Sequence, residues 1–237
     1  MIPKSVGLTF SARRKLPVLL AYDGEYWPHQ FIGLLWRTLG WHRIEENEEY
    51  GIYEIGDQKI KLLRKPNKQL KSPCYTREFF AHCFQDWRRQ YAPPFNLKGK
   101  TVMDVGSGVG ETAFLFFKWG AKRVIAIDQN PRACSVAEEN AEANGWDMVV
   151  LNESFNPEHM KIHWDFAKLD IEGGESCLLE VDKLPVKPVV AEIHSTHLIG
   201  EFSTRFNFKI HEVLRRDDGV ATHAIMRRCY EGIGGLI

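Results

Sequence analysis

The residues able to do chemistry gather in two short stretches. The first reads Asp104-Val105-Gly106-Ser107-Gly108-Val109-Gly110-Glu111. Glycines at three alternate positions let a backbone turn sharply after a strand and come close to a ligand. A dinucleotide-binding loop would need Gly or Ala at position 111. Glu111 stands there instead, and its charge suits neither a pyrophosphate nor the helix N-terminus that would hold one. A cationic or zwitterionic ligand fits better. Asp104 could favour an amino group nearby. Asp128 ends the next apolar run, where a carboxylate can accept two hydrogen bonds from a ribose diol. A nucleoside with a cationic amino-acid tail meets these demands, and S-adenosylmethionine is such a molecule.

The second stretch, residues 165–178, reads Asp-Phe-Ala-Lys-Leu-Asp-Ile-Glu-Gly-Gly-Glu-Ser-Cys-Leu. Lys168, Asp170 and Glu172 alternate, so on a strand they would share a face. Asp170 and Glu172 would then lie at the carboxyl edge of a sheet, where clustered carboxylates can provide a base near neutrality. They could also hold a divalent cation, although no metal is expected, and Lys168 reads as a structural ion-pair partner. Glu192 and His194 share a face in the same way, and an imidazole is suited to take a proton near pH 7. His197 could act similarly if the loop after it folds back. His159 and His163 read as surface residues.

These groups need elements to position them. Apolar runs predict strands over 101–105, 123–128, 148–152, 166–171 and 188–194. Helices are expected over 111–119, 133–144 and 175–181, with Gly120 and Gly145 closing the first two. Alternating strands and helices imply a parallel, doubly wound α/β sheet. Residues 209–215 and 220–227 flank Asp217-Asp218-Gly219 and predict a terminal antiparallel hairpin. The Pro-rich segment 92–100 divides a ligand-binding domain, 92–237, from an α+β extension, 1–91. That extension should carry a helix over 29–39, a hairpin of 50–55 and 58–64 around Gly56-Asp57, and a helix from Thr76 to Gln90. Its aromatic residues Tyr22, Tyr26, Trp27, Phe31, Trp36 and Trp41 suit a core or an acceptor surface, and Pro73-Cys74 reads as a turn.

The first stretch resembles motif I of the class I S-adenosylmethionine-dependent methyltransferases, D/E-x-G-x-G-x-G with an acid ending the second strand. The likeness extends over residues 92–230 and includes the terminal hairpin. The second stretch resembles the signature of FkbM-like methyltransferases, D-x-x-K-[IL]-D-[IV]-E-G-x-E-x-x-L. Asp165, Lys168, Asp170, Glu172, Gly173, Glu175 and Leu178 meet every position of it. One departure is Gly108, where that family often has Asn. The resemblance implies a Rossmann-like sheet of seven strands. It implies a cofactor site of Asp104, Gly106, Ser107, Gly108, Gly110, Glu111, Asp128, Gln129, Asn152, Glu153 and Asp170, with Asn152 or Glu153 against the adenine. It also implies O-methylation of a hydroxyl on a sugar or small molecule, with Asp170, His194 and Glu172 as the catalytic group.

Composition bounds the alternatives. The 237 residues hold 31 basic and 31 acidic side chains, so bulk charge does not attract nucleic acid. The total conceals a local dipole. Glu45, Glu46, Glu48, Glu49, Glu54 and Asp57 precede Lys59, Lys61, Arg64, Lys65, Lys68 and Lys71. That basic run could track phosphates, which makes RNA the second candidate acceptor. A nucleotide-dependent oxidoreductase is a remote third reading, opposed by Glu111. Five cysteines without CxxC spacing indicate a reducing compartment. The apolar run 17–21 is too short for a signal peptide or membrane span, so a cytoplasmic protein is expected.

Overall fold

The computed structural model describes residues 41–65, 91–215 and 221–228, together with Tyr75 and Phe79. The chain forms two compact units, Met1–Arg89 and Gln90–Ile237.

In the first unit three strands form an antiparallel sheet in the order β1-β2-β3: β1 (Trp41–Glu46), β2 (Tyr50–Ile55) and β3 (Gln58–Leu63). The hairpin around Gly56-Asp57 forms as expected, with Ile55 opposite Gln58 and Glu54 opposite Lys59. Strand β1 was not foreseen, since its sequence is polar and the pairing with β2 shifts register between Arg43 and Glu45. The acidic and basic runs turn out to be partners. Arg64 pairs with Glu46 at 3.0 Å and Lys65 with Glu48 at 3.1 Å. Arg64 and Lys65, just past the end of β3, meet acids at the end of β1 and in the turn after it. The rest of the basic run, the helix expected over 29–39, all of the helix expected over 76–90 except Phe79, which is helical, Pro73-Cys74 and the aromatic residues before Trp41 lie outside the described residues.

The second unit is built on a seven-stranded sheet in the order β6-β5-β4-β7-β8-β10-β9. Its strands are β4 (Thr101–Val105), β5 (Arg123–Asp128), β6 (Met148–Asn152), β7 (Phe166–Leu169), β8 (Val189–Ile193), β9 (Lys209–Arg215) and β10 (Ala221–Arg228). The first five are parallel, and β10 runs antiparallel between β8 and β9. This is the expected doubly wound sheet with a terminal hairpin, although the Asp217-Asp218-Gly219 turn lies outside the described residues. The central strands read as continuous apolar runs because both faces are covered. Val102, Met103, Val105, Phe166, Ala167 and Leu169 are all buried.

Among the described residues three helices flank the sheet: α1 (Glu111–Lys118), α2 (Pro131–Asn144) and α3 (Thr196–Phe206). Asn130 caps α2 by accepting from the Arg132 and Ala133 amides, with Pro131 in the first turn. Helix α3 corrects the loop expected after the fifth strand. Leu198, Phe202 and Phe206 recur every fourth residue and are buried in the main core with Met103, Trp164 and Leu169. Burying each such side chain stabilises the fold by about 1.5–3 kcal/mol. The helix expected over 175–181 is a tighter 3-10 helix, Gly174–Glu180. Among the described residues no helix is long and apolar enough to cross a membrane.

Candidate active site

The glycine loop follows β4 at the carboxyl edge of the sheet. The Gly106 and Ser107 amides donate to the Ile127 carbonyl at 2.8 and 3.2 Å, which ties the loop to β5. On its other side the loop meets the end of β7. A Cβ on Gly106 would stand 1.7 Å from the Asp170 carbonyl oxygen, and Gly106 has φ 69°. Only glycine fits both constraints. The two chemistry-bearing stretches therefore share one wall.

Asp128 braces the loop. One carboxylate oxygen accepts from the Gly108 amide at 2.9 Å and the other from the Asn130 amide at 2.8 Å. Each oxygen keeps a second lone pair, an acceptor to which a ribose hydroxyl could donate. Burial raises the Asp128 carboxyl above its ordinary value. Glu111 opens α1 and turns back to accept from the Val109 amide at 2.9 Å. Burial pushes it up to about 8. A carboxyl held this high has its charge restored by a cationic neighbour. The Ser107 hydroxyl is buried and lacks a hydrogen-bond partner. These carboxyls and the orphaned hydroxyl fit a cationic nucleoside better than an anionic one.

Asp104 lies beneath the loop. It is wholly buried, accepts the Thr112 hydroxyl at 2.6 Å and pairs with Lys168 at 3.3 Å. Its charge is met from within the protein, so it acts on a ligand only through the loop. Lys168 also donates to the Gly106 carbonyl at 2.8 Å and lies 3.9 Å from Asp170. Burial works against its charge, but Asp104 and Asp170 outweigh burial and raise its pKa. The structural role expected of Lys168 is what the geometry displays.

Gln129, Asn152 and Glu153 form an exposed rim at the ends of β5 and β6. Asn152 donates to the Asp128 carbonyl at 3.1 Å, and Gln129 accepts the Ser154 hydroxyl at 3.1 Å. Glu153 pairs with His159 at 3.2 Å. His159 is not the surface residue expected. It is buried, stacks on Phe155, and accepts from the Asn156 amide to complete a capping box.

Beyond the loop, Asp170, Glu172, Glu192 and His194 converge. The His194 Nε2 lies 3.7 Å from Asp170, 3.7 Å from Glu172 and 3.9 Å from Glu192. Its Nδ1 lies 2.8 Å from Glu175 Oε1. The Tyr91 hydroxyl donates to Glu192 at 2.7 Å and reaches Asp170 at 3.4 Å. Burial first, and then the Glu192 charge, push Asp170 up to about 7. Burial works against the charged form of His194, yet the Glu175 hydrogen bond and the surrounding carboxylates lift it to about 9. At neutral pH the imidazole thus keeps its proton and Asp170 is poised to accept one.

Two further corrections concern placement. Glu172 does not continue the face of Lys168 and Asp170, because β7 ends at Leu169 and Glu172 turns at φ 52°. Its exposed carboxylate reaches His194 from the turn. His197 sits exposed in the first turn of α3 rather than folding back. Tyr91 and Glu175 were not foreseen as members of the site. Glu175 carried a signal as a signature position, whereas Tyr91 carried none. The ligand atoms of Asp170, Glu172 and His194 lie within 4.8 Å of one another.

Residues 83–166 match the family model described as "Ribosomal protein L11 methyltransferase (PrmA)". The ribosomal protein L11 methyltransferase of Thermotoga maritima is 47% identical over 97 residues, 41% of this chain and 30% of that protein. The one from Tolumonas auensis is 45% identical over 56 residues, 24% of this chain and 19% of that protein. The chain thus spans less than a third of the length of these curated relatives. Among solved structures it is similar to precorrin 8w decarboxylase of Methanobacterium thermoautotrophicum, with a TM-score of 0.47 and 21% identity over 70% of this chain and 96% of that one. The family match falls on the glycine loop, Asp128 and Asn152, and the strand order of the sheet is that of a Rossmann-like methyltransferase fold.

Proposed function

We propose that the protein is an S-adenosylmethionine-dependent methyltransferase in which Asp170 takes the proton of the acceptor nucleophile. The observation that carries this reading is the shared wall of the two stretches. The backbone of Asp170 touches Gly106, and its carboxyl is pushed up to about 7. A base near neutrality thereby adjoins the loop that would hold the cofactor. The residues fitted to the cofactor are Gly106, Ser107, Gly108 and Gly110 along the loop, Glu111 and Asp128 toward its cationic and ribose parts, and Gln129, Asn152 and Glu153 at the rim. Bound S-adenosylmethionine supplies an activated methyl group on a sulfonium. The protein's own work is to align the nucleophile, shield the reacting atoms and receive the proton.

The acceptor is best read as an amino group on a protein. The curated relatives are named for a ribosomal protein. Carboxylates of Asp170, Glu172 and Glu192 around the base would attract a nucleophile that arrives as an ammonium ion. The FkbM-like signature supports a hydroxyl on a sugar or small molecule instead, but nothing in the pocket is specific to one. RNA is the second reading, favoured by the basic run 59–71, although its described part faces acids across the hairpin. Ribosomal components as acceptors would place the protein in the cytoplasm.

Incubation with methyl-labelled S-adenosylmethionine and, in separate reactions, ribosomal proteins, ribosomal RNA and a pool of hydroxylated sugars tests these readings. Label is expected in the protein fraction and should be lost with Asp170→Asn. Label confined to RNA or sugar would overturn the acceptor class. A failure to bind S-adenosylhomocysteine would overturn the activity itself.

A further inference from the structure

Glu175 has no role in the reaction just described, yet it is wholly buried behind the site. It opens the 3-10 helix Gly174–Glu180, and one of its oxygens accepts from the Gly173 amide at 3.2 Å. The same oxygen lies 2.8 Å from His194 Nδ1. Its other oxygen has no hydrogen-bond partner. A carboxylate oxygen can only accept, so facing the Glu175 carboxylate Nδ1 carries a proton.

We propose that Glu175 is a positioning residue that holds His194 as an oriented imidazolium, with Nε2–H turned toward the carboxylates around the acceptor. This rests on the methyltransferase reading above. The imidazole is one hydrogen-bond length from a wholly buried carboxylate, which sets its ring plane and its protonated nitrogen from behind. Among the described residues its ion-pair partners are all carboxylates: Asp170 and Glu172 from the segment after β7, Glu192 from β8 and Glu175 from the 3-10 helix. The cation Lys168 and the Tyr91 hydroxyl reach Asp170 from its other sides. Without the imidazolium, three carboxylates would face one another across the site. With it, all three have a cation to face. The arrangement parallels other sites where a buried carboxylate fixes the tautomer of a catalytic histidine.

The test is a nitrogen-15 NMR titration of the histidine side chains in the wild-type chain and in Glu175→Gln, with His194→Gln used to assign the resonance. Glutamine keeps the size and one acceptor oxygen but removes the charge. Thermal unfolding and S-adenosylhomocysteine binding by calorimetry verify that the variant is folded. In the wild type His194 should titrate near 9, with Nδ1 still protonated above that pH. In Glu175→Gln the midpoint should fall by about one pH unit or more. With the acceptor identified, kcat of Glu175→Gln should drop about tenfold or more while KM for S-adenosylmethionine holds. An unchanged midpoint and tautomer in a folded variant would overturn the proposal. The titration needs neither cofactor nor acceptor. A shifted midpoint in a protein that transfers no methyl group would therefore count against the proposed function, and methyl transfer with an unshifted midpoint against Glu175 alone.

Discussion

The Asp170 carbonyl oxygen and the α-carbon of Gly106 are packed so closely that a Cβ on Gly106 would fall 1.7 Å from that oxygen. The contact joins two segments more than sixty positions apart, and it ties the cofactor loop to the candidate base. Because both sides of it are backbone, neither can move aside.

Gly106→Ala should therefore do more than strain one residue. The added methyl group meets a carbonyl at φ 69°, a conformation L side chains avoid. The expected loss of stability is about 2 kcal/mol or more. S-adenosylhomocysteine affinity should fall at least about tenfold, since loop and β7 must separate. Urea unfolding and calorimetry measure the two effects. A variant that binds normally would show that the loop is not part of the cofactor site.

Asp170→Asn removes the proposed proton acceptor while keeping size. Loss of a positioned base typically costs about 100-fold to 10,000-fold in rate. The reduction should appear in kcat, with a smaller change in KM for S-adenosylmethionine. The wild-type rate should rise with pH through about 7 as Asp170 deprotonates. A variant with an unaltered pH profile would remove Asp170 from the reaction.

Stability of the unliganded protein should fall as pH rises from mildly acidic to alkaline. Glu111 is raised to about 8, Asp170 to about 7 and His194 to about 9. Each lies above its ordinary value, so the folded state holds more protons than the unfolded chain. The stability these groups contribute is complete below their unfolded values and is lost as pH climbs through the folded ones. Thermal unfolding should show a lower Tm at pH 8.5 than at pH 6. Glu111→Gln should flatten part of that slope. A cationic ligand has the opposite preference, so S-adenosylmethionine should bind more tightly as pH rises toward 8, which calorimetry across that range would measure.

Lys168→Met strands a buried charge on Asp104, which Lys168 meets at 3.3 Å. Breaking one side of a buried pair costs about 3–5 kcal/mol. Lys168→Met combined with Asp104→Asn should recover much of that loss, because the uncompensated charge is gone. Chemical denaturation of the single and double variants provides the comparison. Equal stability of the two would mean that the pair contributes little.

Most of the sheet was legible in the residues alone. Strands β4 to β8 are apolar runs ended by turn residues, and those signals are local. The glycine loop, Asp128 and the second motif were legible for the same reason, since their spacing is itself the information. Helix α3 was missed because Gly200, Ser203 and Thr204 are weak helix formers, and its stability comes from Leu198, Phe202 and Phe206 reaching a core assembled by distant strands. Strand β1 was missed because its residues are mostly polar and only β2 beside it makes it a strand.

By itself, then, the sequence determined the order of elements, the place of the loop and the acids able to serve it, all of which depend on neighbours a few residues apart. Only the tertiary structure shows how those acids are placed around His194. The alternation of Lys168, Asp170 and Glu172 could not reveal that β7 stops at Leu169 and sends Glu172 into a left-handed turn. Nor could it reveal that His194 meets Glu175 or that Tyr91 meets Glu192. Protonation follows from burial and from charges brought within a few ångströms, and those distances exist only once the chain has folded.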